Sequence, residues 1–167
     1  TLGTLREAEA DEATYSFSLT EILELARQRL VPAAEKANVK LTIENVASEI
    51  ELDNLRANLL LPILLNLGQN AIEASNKGVV TLEAKQEEEN LEFRVRDDGE
   101  GVAEQIRERL FRPVQSSKPG GSGVGLAICR ELTQRIDAEV SLESSGSEGS
   151  CFLVRIEMEK TIRPDTH

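Results

Sequence analysis

Residues Leu59 to Ser75 read LLLPILLNLGQNAIEAS, an apolar run with few breakers and too long for a strand, which predicts a helix. Advancing about 100° per residue places Asn66, Asn70 and Glu73 on one narrow stripe. Leucine, isoleucine and alanine cover most of the remaining surface. The pattern is that of a buried helix carrying one polar stripe. Asp53 or Asn54 stands where an N-cap is needed. Pro62 predicts a kink, or else a regular helix that starts only near Leu61. Asn76-Lys77-Gly78 supplies a glycine cap at the far end.

The other elements follow from the same two periods. Tyr15 to Ser18 reads as a short strand. Thr20 caps a helix to about Ala37, with Ile22, Leu23, Leu25, Ala26, Leu30 and Ala33 as its apolar surface and Pro32 as a bend or irregularity. Val39 to Val46 and Glu49 to Leu52 read as strands. Val79 to Gln86 and Leu91 to Arg96 alternate as a hairpin around the acidic turn Glu87 to Asn90. Ala103 to Leu110 is a short helical piece. Arg112 to Ser122, with two Pro, two Gly and three Ser, is a mobile loop. Gly123 to Arg135 forms a third main helix, and Glu139 to Glu143 with Cys151 to Glu157 a last hairpin around Ser144 to Ser150. Residues 1–14 read as a frayed helix end or linker, and 159–167 as a flexible tail. No internal repeat is visible. Strands that mostly neighbour in sequence predict a mixed, largely antiparallel sheet of about five strands, covered on one face by helices.

Composition narrows the class. The 167 residues fit one domain, 15–158, with enough chain for a real core. No apolar run reaches the ~18 residues of a membrane span, no signal-peptide core is present, and the missing initiator Met points to a fragment or processed product. A net charge of −11 argues against non-specific nucleic-acid binding, which runs on Lys and Arg. It leaves room for a nucleotide, which needs only a local site. Cys129 and Cys151 lack the spacing of a metal knuckle or redox pair and read as buried small apolar residues. The single histidine, His167, is the last residue and has little around it.

Three stretches carry chemistry. A buried amide without a partner costs about 1–3 kcal/mol, so Asn66 and Asn70 call for a polar cavity, a ligand, a hydrated ion or bound water. Asp97 ends a strand at Asp97-Asp98-Gly99-Glu100-Gly101. Its carboxylate there can accept from an exocyclic amine such as adenine N6, and Gly99 and Gly101 remove Cβ atoms in the path of a flat base. A solvated Asp-Gly turn reads the same way. Gly120 to Leu126 leads into a helix, and amides exposed there can form an anion site for phosphates, while a flexible turn reads the same way. It is not a P-loop, since no GK[ST] follows, and no strand directly precedes it as the dinucleotide fingerprint requires.

Taken in order, NxxxNA (Asn66 to Ala71), DxGxG (Asp97 to Gly101), Phe111 and GxGxG (Gly121 to Gly125) resemble the boxes of the ATP-binding domain of sensor histidine kinases, in the superfamily shared with gyrase-type ATPases. The resemblance covers about residues 15–158. It implies a Bergerat-type fold, a two-layer α/β sandwich with three main helices and ATP held between the helix layer and a flexible lid. It implies Asn70 as the Mg²⁺ ligand, Asn66 as its companion, and Glu73 as either the holder of a metal water or a surface residue. Lys118, in Ser116-Ser117-Lys118-Pro119, takes the place of a lid lysine that would neutralise the γ-phosphate. Gly121, Ser122, Gly123, Val124, Gly125 and Leu126 would surround the phosphates. Ser150, in Gly149-Ser150-Cys151-Phe152, would reach adenine through water, with Phe152 in the core and Phe111 as a hinge anchor. Arg112 replaces a commonly acidic residue, and Ile136-Asp137-Ala138 replaces a His-Gly-Gly turn.

The function implied is transfer of the γ-phosphoryl group of ATP to a histidine on a phosphoacceptor and dimerisation domain of the same protein. A response regulator would act downstream, in a cytoplasmic setting without nucleic acid or direct membrane contact. The acceptor motif, His followed by an acidic residue, is absent, so the chain should not phosphorylate itself. Alternatives are an anti-sigma-type serine kinase, a gyrase-like ATPase and a non-catalytic nucleotide-sensing domain. The first two typically carry Glu at the place of Asn66.

Overall fold

The structure, a computed structural model, describes residues 16–76, 78–112 and 125–158. In chain order the elements are β1 (Ser16–Ser18), α1 (Leu19–Lys36), β2 (Lys40–Asn45), β3 (Glu51–Asp53), α2 (Asn54–Ala74), β4 (Val79–Glu87), β5 (Asn90–Asp97), α3 (Glu104–Arg107), α4 (Gly125–Arg135), β6 (Ala138–Gly146) and β7 (Gly149–Glu157). Five strands form one sheet in the order β2-β4-β5-β7-β6, and β1 pairs with β3 in a separate two-stranded sheet. Only β2 and β4 run parallel within the large sheet, because the crossover through β3 and α2 separates them. This is the mixed, largely antiparallel sheet that the alternating runs predict.

The period of two decides which face is dry. Val80, Leu82 and Ala84 of β4, Leu91, Phe93 and Val95 of β5, and Phe152, Val154 and Ile156 of β7 are all buried and lie in register. Against that face pack Leu60, Ile63, Leu64, Leu67 and Ala71 of α2, with Leu19, Ile22, Ala26 and Leu30 of α1 alongside. Gly68 lets the two helices close, since a Cβ there would come within 2.6 Å of Leu30 Cδ1.

Some element ends agree with the sequence reading and others differ. Ser18, not Thr20, caps α1. Its Oγ accepts from Glu21 N at 3.1 Å while Glu21 Oε2 accepts from Ser18 N at 3.1 Å, the two-way capping box. Asp53 caps α2 through Arg56 N at 2.8 Å, and neither Pro32 nor Pro62 ends its helix. The carbonyls those prolines leave without an N–H belong to Gln28 and Asn58, both exposed, where solvent can serve them. α2 stops at Ala74 with Ser75 extended, so Gly78, at φ 90°, shapes the entry into β4 rather than capping the helix. Finally, β6 and β7 run on to a two-residue turn, Ser147-Glu148, instead of stopping at Glu143 and Cys151.

Candidate functional site

β5 delivers Asp97 to the end of the sheet, between the start of β4 and the start of β7. Its Oδ1 accepts from Gly99 N at 2.9 Å and from Ser150 N at 3.3 Å. Two backbone donors on one oxygen hold the carboxylate in one orientation. Close backbone contact requires the glycines around it, a reason the sequence reading did not give. A Cβ on Gly99 would collide with the carbonyl of Ala74, the last residue of α2. Gly101, at φ 85°, lies against the backbone of Gly146, and Gly149, at φ 129°, lies against the carbonyl of Asp97. Three segments therefore meet in near backbone contact around Asp97: the end of α2, the loop after β5 and the β6–β7 turn.

Asp98 has a separate task. Its Oδ1 accepts from Ser75 Oγ at 2.6 Å and Asn76 N at 3.0 Å, and its Oδ2 accepts from Val79 N at 3.1 Å. It ties the end of α2 to the start of β4. The sequence offered no sign of this beyond an acidic residue next to Asp97.

The polar stripe of α2 is real, though it is uneven. Asn66 and Asn70 are half-buried and Glu73 is exposed. Opposite them stands Gly125, the first residue of α4. A Cβ on it would lie 3.4 Å from Asn66 Oδ1 and 3.9 Å from Asn70 Nδ2. Asn66 Nδ2 donates to the Pro62 carbonyl at 2.9 Å, which fixes its amide and turns Oδ1 toward the α4 N-terminus. Leu126 is half-buried against the core. A helix start beside two amide side chains suits an anion and its counter-cation.

The predicted site residues thus fall into two groups, Asn66 and Asn70 with Gly125, and Asp97, Gly99 and Gly101 with Ser150. The Gly99–Ala74 contact joins them, because α2 carries the asparagines at one point and meets the Asp97 loop at its end. Ser150 is buried, and its Oγ lies 3.0 Å from Ser145 Oγ, so the structure adds a partner the sequence reading missed. Lys118, Gly121, Ser122, Gly123 and Val124 lie outside the described residues, as does the loop expected over 112–122 apart from exposed Arg112. Phe111 is half-buried and makes an edge-on contact with Phe152 at 6.2 Å between centroids, which suits an anchor and does no chemistry. Among the described residues no three His, Cys, Asp or Glu side chains gather as a metal site. The available metal donors are amide oxygens, which suit a hard cation that brings phosphate oxygens and water with it. Asn70 turns its nitrogen toward Gly125, and a half-turn of its two-fold χ2 presents the oxygen.

Residues 55–160 match the family described as histidine kinase-, DNA gyrase B-, and HSP90-like ATPase. The alginate biosynthesis sensor protein KinB of Pseudomonas aeruginosa is 31% identical over 142 residues, covering 82% of this chain and 23% of that protein. The sensor histidine kinase GacS of Pseudomonas protegens is 31% identical over 159 residues, covering 87% of this chain and 17% of that protein. The chain therefore spans a quarter or less of the length of these relatives. Among solved structures, the catalytic domain of histidine kinase ThkA has the same fold, with a TM-score of 0.75 at 23% identity over 86% of this chain and 94% of that one. Full-length ShkA in complex with AMPPNP aligns at a TM-score of 0.71 with 26% identity, over 81% of this chain and 29% of that one.

Proposed function

The chain belongs to the histidine kinase-, DNA gyrase B-, and HSP90-like ATPase family, and from that premise we propose that it passes the γ-phosphoryl group of ATP to a histidine on a separate phosphoacceptor and dimerisation domain of its parent protein. The observation that carries this reading is Asn66. At the phosphate end of the site the α2 stripe offers amides, with Asn66 bonded to the Pro62 carbonyl and facing Gly125. A neutral amide cannot take a proton from water as a carboxylate can. Water is a poor nucleophile there, whereas a neutral imidazole already presents a lone pair. Phosphoryl transfer is mainly positioning and charge stabilisation, so the domain needs no covalent nucleophile.

In this reading Asp97 accepts the adenine amine and the start of α4 faces the phosphates. Lys118 and residues 121–124 would complete the phosphate side. Asn70, with Asn66 beside it, would hold Mg²⁺, which neutralises phosphate charge when bound with ATP. Glu73 is exposed, which suits a water-mediated role at most. A response regulator would take the phosphoryl group onward. No helix among the described residues is long and apolar enough to cross a membrane, and a cytoplasmic setting is part of the proposal.

The test supplies the isolated chain with ATP, Mg²⁺ and a separately produced phosphoacceptor domain of its parent. Phosphohistidine on the acceptor, and none on the chain alone, is the expected result. Nucleotide binding with no phosphohistidine under any acceptor would favour a nucleotide-sensing domain instead.

A further inference from the structure

The β6–β7 hairpin carries a one-residue irregularity. Leu142 pairs with Phe152, but the next paired residue of β6 is Ser144, opposite Cys151, so Glu143 is the extra residue. A bulge of this kind flips the facing of everything beyond it. Upstream, Ala138, Val140 and Leu142 share the core face with Ile156, Val154 and Phe152. Downstream, the residue brought opposite Ser150 is Ser145. Without the bulge that place would fall to Ser144.

Ser145 makes the contacts this re-aiming permits. Its Oγ accepts from Val102 N at 2.6 Å and lies 3.0 Å from Ser150 Oγ. Arg107 of α3 straps the same junction from outside, with Nε donating to the Val102 carbonyl at 3.2 Å and Nη2 to the Ser145 carbonyl at 3.3 Å. The loop from Asp97 to Val102 is thus tied to the hairpin at both ends. At its start Ser150 N bonds Asp97 Oδ1, and at its finish Val102 N bonds Ser145 Oγ.

We infer that Ser145 is a positioning residue for nucleobase selection, holding the Asp97 loop against β7 so that the carboxylate meets the exocyclic amine of adenine. This rests on the reading of Asp97 given above. Ser145 does not touch the base. It acts through Val102 and Ser150, and removing its hydroxyl releases both at once. A loosened carboxylate loses its alignment on an amine donor, while a guanine nucleotide, which offers O6 there, has little to lose. Arg107→Ala removes only the outer strap and shifts selectivity the same way by less.

The test is calorimetric titration of the whole chain with ATP and GTP, for wild type, Ser145→Ala and Ser145→Thr, with thermal melts of each without nucleotide. Ser145→Ala should bind ATP about tenfold more weakly, the equivalent of one well-made hydrogen bond. GTP binding should not change, and Ser145→Thr, which keeps the hydroxyl, should restore ATP affinity. Wild-type ATP affinity in Ser145→Ala would overturn the inference. So would an equal fall for ATP and GTP with a lowered melting temperature, which marks a merely structural serine. If the wild type itself binds ATP and GTP alike, the adenine reading of Asp97 fails, and the role of Ser145 fails with it.

Discussion

Asp97 and Asp98 are adjacent carboxylates with unlike surroundings, and substitution should separate them. Asp98 accepts from Ser75 Oγ, Asn76 N and Val79 N, all protein donors at the join of α2 and β4. Asp98→Ala should therefore cost stability, about 1–3 kcal/mol in urea unfolding, since hydrogen bonds to a charged group are worth ~1.5–3 kcal/mol and half-buried Ser75 would lose its acceptor while exposed Asn76 and Val79 could turn to water. Asp97→Asn keeps an oxygen acceptor for Gly99 N and Ser150 N, so stability should change little. It weakens the charge-assisted bond to an exocyclic amine, and ATP and ADP should lose about 1–3 kcal/mol of binding by calorimetry. Nearly equal stability losses in the two variants would contradict this division. Gly149 is a third residue whose role is steric. At φ 129° and against the Asp97 carbonyl, Gly149→Ala meets both backbone strain and a clash, so it should destabilise the fold and weaken ATP binding together. The DxGxG pattern drew the eye in the sequence because Asp97 is a chemical group at a strand end. The backbone contacts of its glycines were not legible, because the segments that crowd them, at Ala74 and Gly146, lie far away in sequence.

Among the elements, those that one local period specifies were legible. Alternation placed β4, β5 and β7, and the polar stripe singled out α2. What stayed hidden depends on long-range pairing. The bulge at Glu143 exists only relative to β7, and Glu143 then reaches the outward face of β5, where its carboxylate bonds Arg94 through Nε at 2.8 Å and Nη2 at 2.9 Å. Arg94 also meets buried Glu92, which in turn meets Arg155, so a charged chain crosses three strands. The bond from Arg94 holds the Glu143 carboxyl below its ordinary 4.5. A depressed carboxylate contributes stability that is present above that ordinary value and lost as pH falls through the folded one. Glu143→Gln should accordingly flatten the acid limb of the stability curve below about pH 4.5 and leave the neutral and alkaline limbs parallel to wild type. An acid limb identical in both proteins would show that the pair contributes nothing. The cysteines give a second check on packing. Burial pushes the Cys129 thiol up to about 12 and the Cys151 thiol up to about 11, the latter also through its hydrogen bond to Glu143. Both are free, and the thiolate is the reactive form. Native protein at pH 8 should resist alkylation for as long as it stays folded, and denaturant should expose both thiols. Rapid labelling of Cys129 without denaturant would contradict the packing of α4 on α2, and rapid labelling of Cys151 would contradict its burial in β7 beside Glu143.

At the scale of the molecule, one hydrophobic cluster joins α1, α2, the large sheet and α4. The two halves of the site are fixed to that cluster through the same helix. Asn66 and Asn70 lie in the body of α2, and the Asp97 loop rests on its last residue. A nucleotide spanning both halves should therefore stabilise the whole domain rather than one loop. At a ligand concentration 100 times Kd the gain is about 2.7 kcal/mol, or roughly 5–10 °C in melting temperature for a domain of this size. Asn70→Ala separates binding from folding, because Asn70 is half-buried on the polar stripe and absent from the apolar cluster. Its melting temperature without nucleotide should stay near that of wild type, while the rise caused by ATP with Mg²⁺ should be lost. The same pair of proteins tests the chemistry. With an amide at Asn66 fixed by the Pro62 carbonyl, the site has no carboxylate there to activate water, so wild-type hydrolysis of ATP should fall well below a typical enzyme rate of ~1 s⁻¹. Hydrolysis at or above that rate, abolished in Asn70→Ala, would make the chain an ATPase in its own right and displace phosphoryl transfer to histidine as its function.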